Sequence, residues 1–267
     1  MKSLPRITVI TPSYNQGQYI EQTIESVLSQ DYPDLEYWVI DGGSTDGTVD
    51  ILRRYDGRIN WISERDRGQT HAINKGLARA TGQVLAYLNS DDVYEPGALI
   101  TVGEYFSRYP QAVWVAGKCR IVDTAGREVR RAITLYKNIW LRLGSCTVLR
   151  VLDYLSQPAT FWHRKVIDKI GSFNEALRYA MDYDYSLRVA RHFPLRVIDA
   201  YLASFRVHPS SKGGTGFVAQ FEEDLTCARQ HCSSRVLVGL HAVHNATIVA
   251  VYSRLFGIGG KQEEQVS

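Results

Sequence analysis

Two short apolar runs of this chain end in carboxylates and small polar residues. Tyr37 to Ile40 runs into Asp41-Gly42-Gly43-Ser44-Thr45-Asp46-Gly47, and Val84 to Leu88 runs into Asn89-Ser90-Asp91-Asp92. Short buried runs bounded by turn residues read as strands of a parallel sheet, and such sheets bind ligands beyond the carboxyl ends of their strands. Both acidic loops are therefore expected to share one crevice. Adjacent carboxylates such as Asp91 and Asp92 repel each other unless a cation intervenes, so a hard metal with an anionic ligand is the natural occupant. The chemistry this points to is the handling of a phosphorylated substrate.

A third loop belongs to the same end of the sheet. The run from Ile7 leads into Thr11-Pro12-Ser13-Tyr14-Asn15, which combines a rigid proline, an aromatic ring and small polar groups. A planar base can stack on Tyr14 while backbone groups meet its edge. Asp41, at the neighbouring strand end, is placed to accept a base N–H or a ribose hydroxyl, whereas Asp46 reads as a cap that turns the chain. The glycines follow neither the dinucleotide fingerprint nor the phosphate-loop pattern. Any diphosphate bound here must be neutralised by other means, and Asp91 with a divalent cation can do so.

The elements that must position these loops follow from the pattern of the first 117 residues. Candidate strands are 7–11, 36–40, 60–63, 84–88 and 113–116; between them lie helical patterns near 18–29, 48–55, 69–80 and 96–107, the last with Pro96 at its first helical position. This alternation predicts an α/β, Rossmann-like layered sheet. Beyond it, Ile121 to Ile133 reads as a hairpin around Asp123-Thr124-Ala125-Gly126. A helical stretch over 137–156, a helix over 183–191 and strands over 195–198 and 203–207 follow, without a linker that would free this part from the first. From 217 to 256 the pattern is helical, with His241, His244, Asn245 and Arg254 interrupting an apolar run, and the tail after Gly260 is polar. Those interruptions disfavour a membrane span. They favour a helix packed on the body or on another subunit, with an interfacial helix as the alternative.

With 267 residues, 45% of them hydrophobic and 22% charged, the chain can bury a full core. A net charge of +3 with scattered Lys and Arg does not indicate nucleic acid. The N-terminus enters a strand without an apolar core of signal-peptide length, and the four cysteines show no CxxC pair, so a reducing, cytoplasmic compartment is expected. Cys227 and His231 share a helix face but make only half a zinc site.

Thr-Pro-Ser-Tyr-Asn at 11–15, Ser29-Gln30-Asp31-Tyr32-Pro33, the Asp41 to Thr48 run, Arg65-Asp66-Arg67-Gly68-Gln69, Asn74-Lys75-Gly76 and Asn89-Ser90-Asp91-Asp92 occur in the order seen in family 2 glycosyltransferases. The chain resembles that family over about residues 6–208. The resemblance implies a GT-A fold with a mixed central sheet and C-terminal helices: a donor half over 1–117, an acceptor and catalytic half over 118–208, and a helical extension over 209–267. It also implies a nucleotide-sugar donor, a divalent cation, Mn²⁺ or Mg²⁺, and inversion at the anomeric carbon.

Carried over residue by residue, Tyr14 stacks on the donor base, Asp41 hydrogen-bonds it, and Thr11, Pro12 and Ser90 line the same donor site. Asp91 matches the metal-binding carboxylate of the family's DxD motif and Asp92 its neighbour. The first DxD position is Asn89 here, which can hold a ribose hydroxyl but carries no charge. Arg67 lies in the family's donor-contacting basic segment, or pairs with Asp66 at the surface. In Met181-Asp182-Tyr183-Asp184, Asp182 stands at the position of the catalytic base and Met181 where Glu is common, with Asp184 as the supporting residue or the alternative base. His208 resembles the histidine that closes the donor site by ligating the metal or touching the diphosphate. Gln157 to Trp162 then line the acceptor side, with Trp162 a platform for a sugar.

The expected function is metal-dependent, inverting transfer of a sugar to a hydroxyl of a glycan or lipid-linked acceptor, in bacterial surface polysaccharide assembly at the cell envelope. Peripheral contact with the inner face of the cell membrane and a homo-oligomer through the C-terminal helices are compatible with it. One rival is a non-catalytic nucleotide-sugar-binding assembly or sensor protein. The other, a nucleotidyltransferase, needs a basic Gly-rich loop where Pro12-Ser13-Tyr14-Asn15 stands.

Overall fold

The computed structural model describes residues 3–209 and 216–256. In chain order the elements are β1 (Ile7–Ser13), α1 (Ile20–Leu28), β2 (Leu35–Asp41), α2 (Thr48–Arg53), β3 (Asn60–Ser63), α3 (Gln69–Arg79), β4 (Val84–Tyr87), β5 (Val93–Tyr94) and α4 (Ala98–Arg108). They continue with β6 (Trp114–Val122), α5 (Arg131–Leu143), α6 (Cys146–Leu149), a 3₁₀ turn over Gln157–Ala159, β7 (Thr160–His163), α7 (Arg164–Ile170), α8 (Met181–Val189) and β8 (Arg196–Arg206). Two helices, α9 (Phe217–His231) and α10 (Arg235–Phe256), end the described chain.

One eight-stranded sheet runs in the order β3-β2-β1-β4-β7-β6-β8-β5. β1 to β4 form its parallel half; β7 runs antiparallel to β4 and to β6, and β5 closes the edge antiparallel to β8. Side chains alternate between two cores, as the period of a strand requires. Val9, Val39, Val115 and Phe161 face α1, α2 and α4, whereas Ile10, Ile40, Ala116 and Trp162 face α3, α7, α8 and α9. α3 lies so close to β1 that a Cβ on Gly76 would collide with the Ile10 side chain, so only glycine permits the contact.

The sequence pattern and the structure differ at four places. The helical stretch expected over 137–156 breaks at the left-handed Gly144 (φ 55°), and only the short α6 follows α5. The expected hairpin over 121–133 returns for only two residues: Val122 bridges Glu128, and Val129 N–H donates to the Ile121 carbonyl. Arg130 then takes a left-handed conformation (φ 52°), and the residues beyond it wind into α5, where Thr134, Asn138 and Leu141 face inward. The two short strands expected over 195–207 form one, β8, which follows β6 through register shifts around Lys118. Pro96 is not the first helical residue. It occupies the corner of a turn in which Ala98 N–H donates to the Glu95 carbonyl and Gly97 is left-handed (φ 76°), a type II arrangement, and α4 starts only after it.

The C-terminal helices dock on the body through the polar residues that interrupt their apolar run. His241 Nδ1 lies 3.0 Å from the Val151 carbonyl, and Asn245 lies 3.0 Å from His241 Nε2 while donating to the Phe221 carbonyl. Both residues are buried.

Candidate active site

The parallel half of the sheet brings the ends of β1, β2 and β3 into register, with Ser13 beside Asp41 and Asp41 beside Ser63. The loops beyond them are stitched together. Asn15 N–H donates to Ser44 Oγ at 2.7 Å, Thr45 N–H returns to Asn15 Oδ1 at 2.9 Å, and Gly17 N–H donates to Asp46 Oδ2 at 2.8 Å. Partial burial opposes ionisation of Asp46, but donors from Thr48 and Gly17 hold its carboxyl below the usual range. Asp46 is therefore the turn-forming cap that its position implies.

Asp41 is fully buried, and four donors fill its carboxylate: Gly43 N–H, Ser44 N–H, Ser44 Oγ and Ser63 Oγ. It builds the loop from within. Tyr14 is 61% exposed at the rim of this crevice. Thr11 is buried with its hydroxyl 3.0 Å from that of Tyr37, while the buried Ser13 Oγ has no partner. Arg67 does not pair with Asp66. Its guanidinium bonds Glu175 at 2.6 Å, while Asp66 caps the Gly68 N–H and sits so close to Gly42 that a Cβ there would come 2.7 Å from its carboxylate.

The acidic loop after β4 is organised around a residue that the sequence pattern did not single out. Arg206, at the end of β8, is buried; its guanidinium donates to the carbonyls of Asp91 (2.8 Å) and Thr124 (3.0 Å) and to Gln22 Oε1 (2.9 Å), and lies 5.3 Å from the Tyr19 ring centroid. Asp92 is fully buried, and accepts from Arg206 N–H at 2.9 Å and from Asn89 Nδ2 at 3.1 Å. Burial and the neighbouring Asp91 carboxylate push its carboxyl well above the usual range. Both oxygens of Asp92, expected as a metal ligand beside Asp91, thus accept donors inside the loop. Asp91 is the carboxylate left nearer the crevice, 3.0 Å from Nε2 of the buried His208, which in turn packs on Tyr19. Asn89 is tied to α3 through Gln69 Nε2 at 2.6 Å, and the Ser90 carbonyl accepts from Thr23 on α1.

Asp182 lies in the first turn of α8 and accepts the N–H of Tyr183 at 2.9 Å. The amides just before it, of Arg178, Tyr179 and Ala180, all donate to Glu223 of α9, so a carboxylate from the C-terminal extension fixes the start of α8. Asp153, Gln157, Trp162 and Asp182 line a small cavity. Burial, opposed by Lys137 and reinforced by Asp182, pushes the Asp153 carboxyl up to about 7. Gln157 Nε2 donates to the Tyr87 carbonyl at 2.6 Å, and its Oε1 is buried without a partner.

Trp162 is buried, stacked on Tyr87 and in edge contact with Phe173 and Tyr185, and reaches the acceptor side only through the small cavity it lines with Asp182. Asp184 turns to α9: Arg188 Nε bonds one oxygen at 2.9 Å, His231 Nε2 lies 2.6 Å from the other, and together these outweigh burial and lower its pKa.

Asp182 and the Asn89–Asp92 loop nevertheless belong to one place. Tyr87, at the end of β4, has its hydroxyl pKa raised well above the usual value first by burial and then by the carboxylates of Asp182, Asp92 and Asp153. Gln157 links Asp182 to that loop: it lines the Asp182 cavity and donates to the carbonyl of Tyr87, the last residue of β4. Among the described residues no three His, Cys, Asp or Glu side chains converge as an ion site; Asp91 and His208 lie 3.0 Å apart.

A family profile described as Glycosyl transferase family 2 matches residues 8–180, which include both acidic loops and extend to the residue before α8. The chain belongs to glycosyltransferase family 2. Its relatives include an uncharacterized glycosyltransferase of Nostoc sp., 27% identical over 82% of this chain and 70% of that protein. The Bacillus subtilis protein named for teichuronic acid biosynthesis, TuaG, is 46% identical over 36% of this chain and 39% of its own length. The Escherichia coli chondroitin synthase is 27% identical over 74% of this chain, which spans only 28% of that enzyme.

The family's GT-A fold is shared with solved structures. Staphylococcus aureus TarS residues 1–349, solved with UDP, superposes with a TM-score of 0.67 at 20% identity, over 97% of this chain and 77% of that one. The mannosyltransferase PcManGT of Pyrobaculum calidifontis, solved with GDP-Man and Mn²⁺, gives 0.69 at 19% identity over 95% and 76%. Within this family 2 framework, the described structure adds Arg206, Asp153 and Glu223 to the residues found from motifs. Arg206 and Asp153 are single charges between uncharged neighbours and Glu223 stands in the run Glu222-Glu223-Asp224, so only their contacts in the fold reveal what they do.

Proposed function

We propose that this family 2 glycosyltransferase transfers a sugar, with inversion, from a nucleoside diphosphate sugar to a hydroxyl of a glycan or lipid-linked acceptor in bacterial surface polysaccharide assembly. Support for the donor class comes from fold neighbours solved with UDP and with GDP-Man, and support for the setting from the teichuronic acid biosynthesis named for TuaG. The observation that carries the reading is that Gln157, which lines the Asp182 cavity, donates to the carbonyl of Tyr87 at 2.6 Å, at the end of the strand that leads into the Asn89–Asp92 loop. A donor lies across the ends of β1, β2 and β4, with Tyr14 free to stack on its base and the unpartnered Ser13 Oγ available to it. The acceptor enters beside Gln157 in the 118–208 half.

Asp91 and His208 would hold the divalent cation, Mn²⁺ or Mg²⁺. An oxygen and a nitrogen ligand suit such an ion when water and diphosphate oxygens complete its shell. When bound, it would neutralise charge on the departing diphosphate. Asp182 takes the proton of the acceptor hydroxyl as that oxygen bonds to the anomeric carbon and the bond to the diphosphate breaks, help worth about 10² to 10⁴ in rate. The buried Asp153 keeps a second carboxyl beside it, and Glu223 sets its direction.

The test is transfer rate beside nucleoside diphosphate affinity for Asp182→Asn. Affinity should hold while transfer falls by about 10² or more. Transfer near the wild-type rate would remove Asp182 from the role. A wild-type protein that binds donor yet neither transfers nor hydrolyses it would identify a sensor instead.

A further inference from the structure

α5 and α10 together contain no Asp or Glu, and both leave apolar side chains in water. On α5, Leu135, Ile139 and Leu143 recur every four residues, and each is more than half exposed. On α10, Val236, Leu240 and Val243 are likewise more than half exposed, and the outward face continues through Ala246, Thr247, Ala250 and Val251 to Arg254 without a charge. A solvated helix face normally carries charges. The two helices meet where Tyr136 stacks on His244 with their polar atoms 3.0 Å apart, and Leu135 and Val243 adjoin that contact in sequence. The exposed residues thus belong to two helices in direct contact.

The charges on these helices are all positive. Arg142, Arg235 and Arg254 are exposed near helix ends, and Arg131, also exposed, pairs with Glu128. A symmetric contact between two copies would oppose arginines across helices that carry no acid of their own, with Glu128 and Asp199 the acids near their ends, a contact that like charges disfavour. An anionic lipid surface supplies both the apolar phase and the opposite charge. Among the described residues no helix is long and apolar enough to cross a membrane, so the pair would lie in the interface. The same helices brace the acceptor side: Lys137 of α5 donates to the Leu155 carbonyl beside the Asp182 cavity, and His241 of α10 contacts the Val151 carbonyl.

We propose that the α5 and α10 faces form a docking surface for an anionic membrane, which holds the cavity of Asp182 at the lipid interface. This deepens the reading of a lipid-linked acceptor and rests on it for its purpose, but binding is measured without donor or acceptor and so fails separately from activity. The probes are phosphatidylcholine vesicles with and without phosphatidylglycerol, in flotation assays on the full chain. Wild type should float with the anionic vesicles and lose most of that binding in salt near 0.5 M, where the screening length is only about 4 Å. Ile139→Glu with Leu240→Glu, on exposed positions, should cut binding about tenfold or more while nucleoside diphosphate affinity is kept. Arg142→Gln with Arg254→Gln, which leaves the apolar residues in place, should cut it about tenfold. Absence of binding to anionic vesicles, equal binding to neutral ones, or binding unchanged in both variants would overturn the proposal. So would a stable dimer, by light scattering, that Ile139→Glu dissociates.

Discussion

Replacing Arg206 with methionine keeps much of the side-chain volume and removes the guanidinium. The substitution strands the carbonyls of Asp91 and Thr124 and the Gln22 Oε1, removes the cation from the Tyr19 ring, and takes the positive charge away from the buried Asp92. Hydrogen bonds to a charged donor contribute about 1.5–3 kcal/mol each, but three on one group are not additive, and breaking a buried charge network costs about 3–5 kcal/mol. An overall loss of about 4 kcal/mol follows, a large part of the roughly 5–15 kcal/mol that holds a domain folded. At about 2–4 °C per kcal/mol for a large domain, the unfolding midpoint should fall by about 8–16 °C. Differential scanning calorimetry reads this directly. Titration with nucleoside diphosphate and Mn²⁺ should show weaker metal-dependent binding, because the Asp91 backbone is no longer held. A midpoint within about 2 °C of wild type, with unchanged binding, would refute the view that Arg206 organises the loop.

Three further outcomes follow from the same geometry. Asp153 has its carboxyl raised from 3.8 to about 7, so its deprotonation favours the unfolded chain and the folded state loses stability as pH rises through that window. Asp153→Asn should leave stability near pH 4 little changed and raise it near pH 8 by about 1–3 kcal/mol, seen as a flatter profile of midpoint against pH; parallel profiles would contradict this. Asn89→Asp, which restores the charged first position of the DxD motif, should lower stability by about 1–3 kcal/mol in urea denaturation, because Asn89 Nδ2 donates to the buried Asp92; a variant as stable as wild type would show that contact to be dispensable. Glu223→Gln should cost about 1–2 kcal/mol and lower the transfer rate more than donor affinity, since it weakens the acceptor for three amides ahead of Asp182; loss of stability with unchanged transfer would limit Glu223 to a structural part.

Elements with strong local signals were legible before any coordinates. The runs 7–11, 36–40 and 84–88 are strands because continuous apolar residues bounded by Gly, Asp and Asn can only be satisfied in a buried parallel sheet. The same logic placed Asp41 and the Asn89–Asp92 run at strand ends. What each carboxylate does there was not legible. Asp91 and Asp92 are adjacent and chemically identical, yet one lies beside His208 and the other is buried against Arg206. The hairpin expectation failed because a turn sequence fixes only the turn. Asp123 does cap it, but the left-handed Arg130 and the helical spacing beyond decide where the chain goes next.

The sequence by itself determined the alternating fold, the loops that carry the chemistry and the family, because these depend on local periodicity and on residue types at short spacing. Tertiary structure decided which polar groups are spent on the protein and which are left for a ligand. Asp92 and Asp184 accept from Arg206 and His231, far off in the chain, whereas Asp91 lies beside His208 and Asp182 lines a cavity with Gln157. Burial and hydrogen-bond saturation arise from contacts across the chain, 114 residues apart for Asp92 and Arg206, and no local pattern encodes them.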